Sequence, residues 1–256
     1  MQVIIKDTAQ EASRYIARTI IQTVRENPRA KLGLATGSSP LEIYKTLIKD
    51  HEKNGTDYRS VKTFNLDEYV GLKRSDPNSY RHYMAANLFN HINIPEANTH
   101  MPDDSYKANP EAYDQKIEAL GGIDLQLLGI GLNGHIGFNE PGVQGDIPTH
   151  VTRLARSTRE ANARFFDTLD EVPTRAITMG IRTILSAKRI FLIATGDMKA
   201  DIIRAVIRNG VQDSIPATYL KTHPDVTVVL DQKAASKLQK NDLTNCQVIL
   251  FSWGVA

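Results

Sequence analysis

Two runs, LQLLGIG at 125–131 and RIFLIAT at 189–195, are almost wholly apolar on consecutive residues. Side chains on a strand alternate faces, so a run of this kind needs cover on both sides. Shorter runs stand at 31–35 (KLGLA), 61–66 (VKTFNL), 176–179 (AITM) and 226–231 (VTVVLD). Between them the apolar spacing becomes helical. Thr8 to Glu11 has capping-box spacing, and Ala12, Tyr15, Ile16, Thr19, Ile20 and Val24 then recur on one face until Pro28 stops the helix. Helical spacing returns at 41–50, 78–92, 110–120, 158–169 and 198–209. Strands alternating with helices predict an α/β fold, an open three-layer α/β/α arrangement on a mostly parallel, Rossmann-like sheet. No repeat, low-complexity tract or linker breaks the pattern, so residues 1–256 read as a single domain.

Composition narrows the partners. A net charge of +2 gives no electrostatic reason to expect nucleic acid or a membrane surface. No apolar run approaches the ~18 residues of a membrane span, and the one in MQVIIKDTAQEA is too short for a secretion signal. The single cysteine, Cys246, has no internal partner for a disulfide, which suits a reducing cytoplasm.

In an open α/β sheet, ligands bind at the carboxyl ends of strands, near a switch in strand order. Three segments stand at such ends: TGSSP (36–40), NLDEYVG (65–71) and GIGLNGHIGFNEPG (129–142). Thr36, Ser38 and Ser39 bring hydroxyls, Gly37 permits a tight turn, and Pro40 suits the start of a helix. That combination fits a phosphate seat or a plain helix cap; with no P-loop lysine following, a nucleoside triphosphate is not expected. Asp67 and Glu68 are neighbours in an extended segment, so at most one of them faces a pocket, and spacing does not say which. A carboxylate at that strand end suits a general base. In the third segment five glycines surround Asn133, His135, Asn139 and Glu140. His135 and Glu140 are close enough along a bent loop to meet, and a carboxylate on one imidazole nitrogen frees the other for proton transfer. Without a second histidine or a cysteine cluster nearby, a metal site is not expected. The dinucleotide fingerprint also fails, for want of a third glycine at the right spacing. His51, His82, His91, His100 and His223 read as structural or surface residues.

Taken together, KLGLATGSSP, TFNLDEYVGL, GIGLNGHIGFNEPG and ANARFF resemble the glucosamine-6-phosphate deaminase family, in its short bacterial form. The resemblance runs from about residue 3 to about residue 232, with four separated motifs in order. It implies the open three-layer fold of the sugar-phosphate isomerases and lactonases. It also implies conversion of glucosamine 6-phosphate and water to fructose 6-phosphate and ammonia, without cofactor or metal. By the same resemblance Asp67 is the base that moves a proton between C2 and C1. His135 opens the sugar ring, Glu140 orients it, and Asn133 stands beside them. Thr36, Gly37, Ser38 and Ser39 form the phosphate loop, and Arg164 and Lys199 are its cationic ligands.

Three departures stand out. Asn133 replaces the aspartate that some members carry, removing a negative charge near His135. His150 and Thr152 stand where the large hexameric members have basic residues that bind an effector. No allosteric activation is therefore expected, and a monomer or small homo-oligomer is. The apolar tail CQVILFSWGVA (246–256) matches nothing in the family and suits an added strand or a subunit contact. Two other readings are weaker. 6-Phosphogluconolactonases share the phosphate loop and the Gly-His but lack FNEPG. A non-catalytic sugar-phosphate sensor does not call for the acid–base residues present here.

Overall fold

The computed structural model describes residues 1–163, 166–244 and 246–250. In chain order its elements are β1 (Gln2–Lys6), α1 (Ala9–Glu26), β2 (Lys31–Leu34), α2 (Leu41–Asn54), β3 (Lys62–Asn65), β4 (Asp67–Tyr69), α3 (Tyr80–Asn87) and β5 (Thr99–His100). Then come α4 (Glu111–Ala119), β6 (Leu125–Leu128), β7 (His150–Arg153), α5 (Arg156–Asn162), β8 (Arg175–Thr178) and α6 (Ile181–Leu185). β9 (Ile190–Ala194), α7 (Ala200–Arg208), β10 (Val226–Asp231) and β11 (Gln247–Leu250) complete the series.

Eight strands make one sheet in the order β11-β1-β10-β9-β6-β2-β3-β5, and every pairing in it is parallel. The two apolar runs behave as expected. Ile190, Leu192 and Ala194 of β9 enter one core, and Phe191 and Ile193 enter the other. α1, α2 and α3 carry the chain toward β5 and cover one face; α4, α6 and α7 carry it back and cover the other. Right-handed crossovers require this division. Thr8 caps α1 by accepting from the Glu11 N–H, and Ala12, Ile16, Ala17, Ile20, Ile21 and Val24 form its buried face. Gly33 is glycine for a steric reason: a Cβ there runs into the side chain of Gln126, buried on the neighbouring strand. Among the described residues, no helix is long and apolar enough to cross a membrane.

The structure corrects several sequence readings. The segment after β3, expected as an extended strand-end loop, contains β4, which pairs antiparallel with β8 in a separate three-stranded sheet, β4-β8-β7. The strand expected at 176–179 thus belongs to this small sheet, not the large one. β1, β4, β5 and β7 were not expected; they are two to five residues long, and none was set apart by its apolar pattern as the runs of β2, β3, β6 and β8 were. The helix expected over 158–169 ends at Asn162, and the one over 78–92 narrows to α3 and a single 3-10 turn at Phe89–His91. In the tail, Gln247–Leu250 adds a parallel strand against β1; residues 251–256 lie outside the described residues.

The order of strands reverses direction between β2 and β6: from β2 the chain steps one way to β3, and from β6 it steps the other way to β9. Loops leaving the carboxyl ends of two such strands diverge and leave a crevice. Both loops, 36–40 and 129–142, were singled out from sequence.

Candidate active site

The crevice holds a cavity of about 650 Å³. Residues 35–39 after β2, Leu66 and Asp67 at β4, the 129–138 loop after β6, Thr158 and Asn162 of α5, and residues 195–199 before α7 line it. Of the residues expected in a site, the cavity lining includes Thr36, Gly37, Ser38, Ser39, Asp67, Asn133, His135 and Lys199. Glu140 stands behind His135 rather than on the wall. Arg164 lies outside the described residues.

The ambiguity between the two acids resolves through the antiparallel pairing of β4. Asp67, opposite Thr178, turns into the cavity. Glu68 turns away and accepts from the backbone N–H groups of Tyr69 (2.8 Å), Tyr80 (3.0 Å) and Arg81 (2.9 Å). Tyr80 and Arg81 open α3, so Glu68 satisfies donors that the helix itself leaves free. Burial pushes the Glu68 carboxyl up, while those three N–H groups and Arg81 pull the other way. Docked in this way, α3 sets the Tyr80 ring parallel to Phe138 (15°, centroids 6.1 Å apart) and 4.8 Å from the Tyr69 ring.

Asp67 is 6% exposed, and no donor among the described residues reaches its carboxylate. Burial first, then the charge of Glu68, push its pKa up to about 8. A carboxylate that lines a cavity yet is poorly solvated is a far stronger base than a free one.

The glycines of the 129–142 loop now have a reason. A Cβ on Gly131 falls within the His135 ring, so the imidazole can lie over the backbone there only because residue 131 has no side chain. Gly137, at φ +56°, turns the chain beside Asp67 in the left-handed region. The loop is closed by Gly131 N–H to His135 O (2.9 Å) and His135 N–H to Asn133 Oδ1 (3.2 Å). Asn133 Nδ2 donates to Glu140 Oε2 (2.7 Å), and the Thr158 hydroxyl donates to Glu140 Oε1. His135 Nδ1 stands 3.6 Å from Glu140 Oε2. Burial tends to raise the Glu140 pKa, but His135, Thr158 and Asn133 outweigh it and hold the carboxyl at about 2.

Asn133 therefore touches Glu140 and the His135 backbone, and its amide does what a carboxylate cannot. Asn133→Asp sets two carboxylates at a 2.7 Å spacing, and one of the pair then keeps a proton well above pH 4. A folded-state pKa raised in this way leaves stability intact in acid and removes it as pH rises. Thermal melts are expected to show a larger loss for the variant at pH 8 than at pH 5. Equal losses at both would mean that the two side chains do not meet.

At the other end of the cavity, the Tyr44 hydroxyl donates to Ala35 O and the Tyr83 hydroxyl to Gly37 O, fastening the 35–39 loop ahead of α2. No described carbonyl or carboxylate accepts from the N–H groups of Gly37, Ser38 or Ser39. Lys199, in the single turn before α7, donates to Ile130 O (2.6 Å) and so carries its charge to the floor of the same cavity. Opposite, Gly196 N–H reaches both oxygens of the buried Asp231 at the end of β10, fixing that turn. Sequence reasoning missed Tyr80, Thr158, Asn162 and Asp231. For Thr158 and Asn162 a signal existed: two polar residues four apart on one helical face, the second of them inside ANARFF.

Fold and site together define an open α/β protein that gathers a buried carboxylate, a histidine–carboxylate pair and a hydroxyl-rich loop ahead of a helix at its switch point. Residues 5–229 match the model of the glucosamine-6-phosphate isomerases/6-phosphogluconolactonases, and the chain belongs to that family. It is 53% identical over 239 residues to the glucosamine-6-phosphate deaminase of Geobacillus sp. (strain WCH70), covering 92% of this chain and 95% of the relative. To that of Thermoanaerobacter pseudethanolicus it is 46% identical, covering 98% of this chain and 100% of the relative. Among solved structures, a monomeric glucosamine-6-phosphate deaminase superposes with a TM-score of 0.90 at 44% identity, covering 93% of this chain and 100% of that one. A 6-phosphogluconolactonase from Trypanosoma cruzi, at 21% identity and TM-score 0.76 over 93% of this chain and 97% of its own, shares the fold.

Proposed function

We propose that the chain converts glucosamine 6-phosphate and water to fructose 6-phosphate and ammonia. The observation that carries this reading is Asp67: a buried carboxylate with its pKa raised to about 8, on the wall of a cavity shared with Lys199 and the 36–39 loop. The substrate phosphate sits on the amides and hydroxyls of Thr36, Gly37, Ser38 and Ser39, against Lys199; the family resemblance adds Arg164 as a second cationic ligand. Charge-assisted bonds there position the sugar, so binding energy distant from the reacting carbons is used to orient them. His135 moves a proton between O5 and O1 to open the ring, with Glu140 stabilising its charged form. Asp67 then takes the C2 proton and returns it to C1. The nitrogen at C2 becomes an imine, water adds, and ammonia leaves. Every step is a proton transfer, a hydration or, at the end, cleavage of the C2–N bond that expels ammonia.

Ammonia release from glucosamine 6-phosphate tests the reading, with 6-phosphogluconolactone hydrolysis as the contrasting assay. Ammonia without lactone hydrolysis is expected; lactone hydrolysis without ammonia overturns it. The phosphate seat has its own test. Lys199→Ala is expected to raise KM for glucosamine 6-phosphate by about 10- to 100-fold, the scale of a hydrogen bond to a charged group. Turnover of unphosphorylated glucosamine should not respond to the change. An unaltered KM places the phosphate elsewhere. A cytoplasmic location rests on the lone Cys246. A monomer or small homo-oligomer is supported by the monomeric relative at 44% identity.

A further inference from the structure

We propose that Thr158 is a positioning residue for His135: its hydroxyl fixes Glu140 Oε1, sets how closely the carboxylate stands to the imidazole, and so ties α5 to the acid–base pair. The functional part of this inference rests on the proton-transfer role proposed for His135.

The geometry is that of a shared carboxylate. Glu140 Oε1 is taken by the Thr158 hydroxyl, and Oε2 by Asn133 Nδ2 at 2.7 Å. His135 Nδ1 lies 3.6 Å from Oε2, beyond hydrogen-bond reach, and is buried with no hydrogen-bond partner. A buried ring nitrogen left unpaired beside a carboxylate is costly, so something restrains the pair. The two restraining donors differ in kind. Asn133 belongs to the same loop as His135 and is bonded to its backbone. Thr158 comes from α5, a separate element.

α5 is itself fastened on two sides. Asn162, one turn beyond Thr158 on the same face, donates to the Tyr69 hydroxyl at 2.9 Å, and both residues line the cavity. On another face Arg159 donates to the carbonyls of Leu169 (2.8 Å) and Val172 (3.0 Å). Thr158 is thus the point at which this clamped helix touches the acid–base pair. Among the described residues, Glu140 from its own loop stands beside His135, and Asp67 from β4 and Asp197 and Lys199 from the turn before α7 line the same cavity. Thr158 adds no charge to that set. It acts by deciding where the Glu140 charge points.

Removing the hydroxyl leaves a half-buried carboxylate one donor short, with His135 Nδ1 at 3.6 Å from its other oxygen. The carboxylate is then free to turn to the ring. In nitrogen NMR spectra of the His135 ring, Thr158→Val is expected to move the Nδ1 resonance to a hydrogen-bonded shift. Thr158→Ala, which also lacks the hydroxyl and asks less of the packing, should do the same. Thr158→Ser, which restores the hydroxyl, should return the wild-type shift. An unchanged Nδ1 resonance in the hydroxyl-free variants overturns the proposal. So does a Ser variant that shifts as far as Val, because packing is then the cause. These spectra need no substrate. A failure of ammonia release in the wild-type protein speaks against the proposed reaction, and an unmoved Nδ1 resonance speaks against Thr158.

Discussion

Asp67→Asn is expected to lower kcat for ammonia release by roughly a thousandfold or more and, at the same time, to make the protein more stable. The first effect follows from chemistry: an amide matches the carboxylate in shape but cannot accept the C2 proton, and a positioned base is worth ~10²–10⁴-fold. The second follows from burial. Asp67 has a folded-state pKa of about 8, against about 4 in an unfolded chain. The folded state holds a proton that the unfolded state releases, so wild-type stability is complete below pH 4 and is lost as pH rises toward 8. Near pH 7 the loss is on the order of 4 kcal/mol, and the asparagine variant does not suffer it. Melts at pH 7 should therefore show the variant about 10 °C higher, with the gap closing toward pH 4. In the wild-type protein, kcat/KM should fall as pH drops below about 8, because the base must be unprotonated to act. A variant that melts at the wild-type temperature at both pH values would show that burial does not strain Asp67, and one that turns over within tenfold of wild type would show that Asp67 is not the base.

Gly131→Ala is the second change with a large expected effect, and it acts without touching a functional group. The new methyl occupies the space of the His135 ring. Gly131 is not among the glycines with positive φ, so the backbone accepts alanine, and the nearest conflict is with the imidazole. The ring is hemmed in by the 129–142 loop and must move by an ångström or more. Misplacement on that scale costs ~10²-fold in rate. Overpacking costs ~1–3 kcal/mol, so the protein is expected to fold and to bind the sugar phosphate while kcat falls about a hundredfold. If kcat holds while the melting temperature collapses, Gly131 serves the fold and not the site.

Much of this architecture was legible in the chain. LQLLGIG and RIFLIAT are apolar on both strand faces, which only a covered parallel sheet accommodates, and β6 and β9 sit at its centre. TAQE marked the start of α1. The three strand-end loops converge because parallel strands present all their carboxyl ends to one edge. The small antiparallel sheet was not legible: β8 was read as a strand at 176–179, but nothing in its local pattern says which sheet it joins, and its partners β4 and β7 lack an apolar run. The length of α5 was overread because the apolar pattern continues past Asn162, where the helix stops.

By itself the sequence determined which residue types stand at the strand ends: a phosphate-loop pattern at 36–39, acids at 67 and 68, and a histidine and a carboxylate among glycines at 133–140. These are local properties, set by composition and by the few bonds between neighbours. Only the tertiary structure decided what each group does. Asp67 and Glu68 are chemically alike and adjacent, yet one lines a cavity and the other caps α3, because β4 pairs with β8 and sends alternate side chains to opposite faces. Asn133 reaches Glu140, and Thr158 reaches it from 18 residues away, through contacts that no spacing rule encodes. The pKa of Asp67 belongs to the same class of fact. It is set by how much water the packed chain excludes from one carboxylate, and the exclusion is the work of β4, β8, α3 and the glycine loop together.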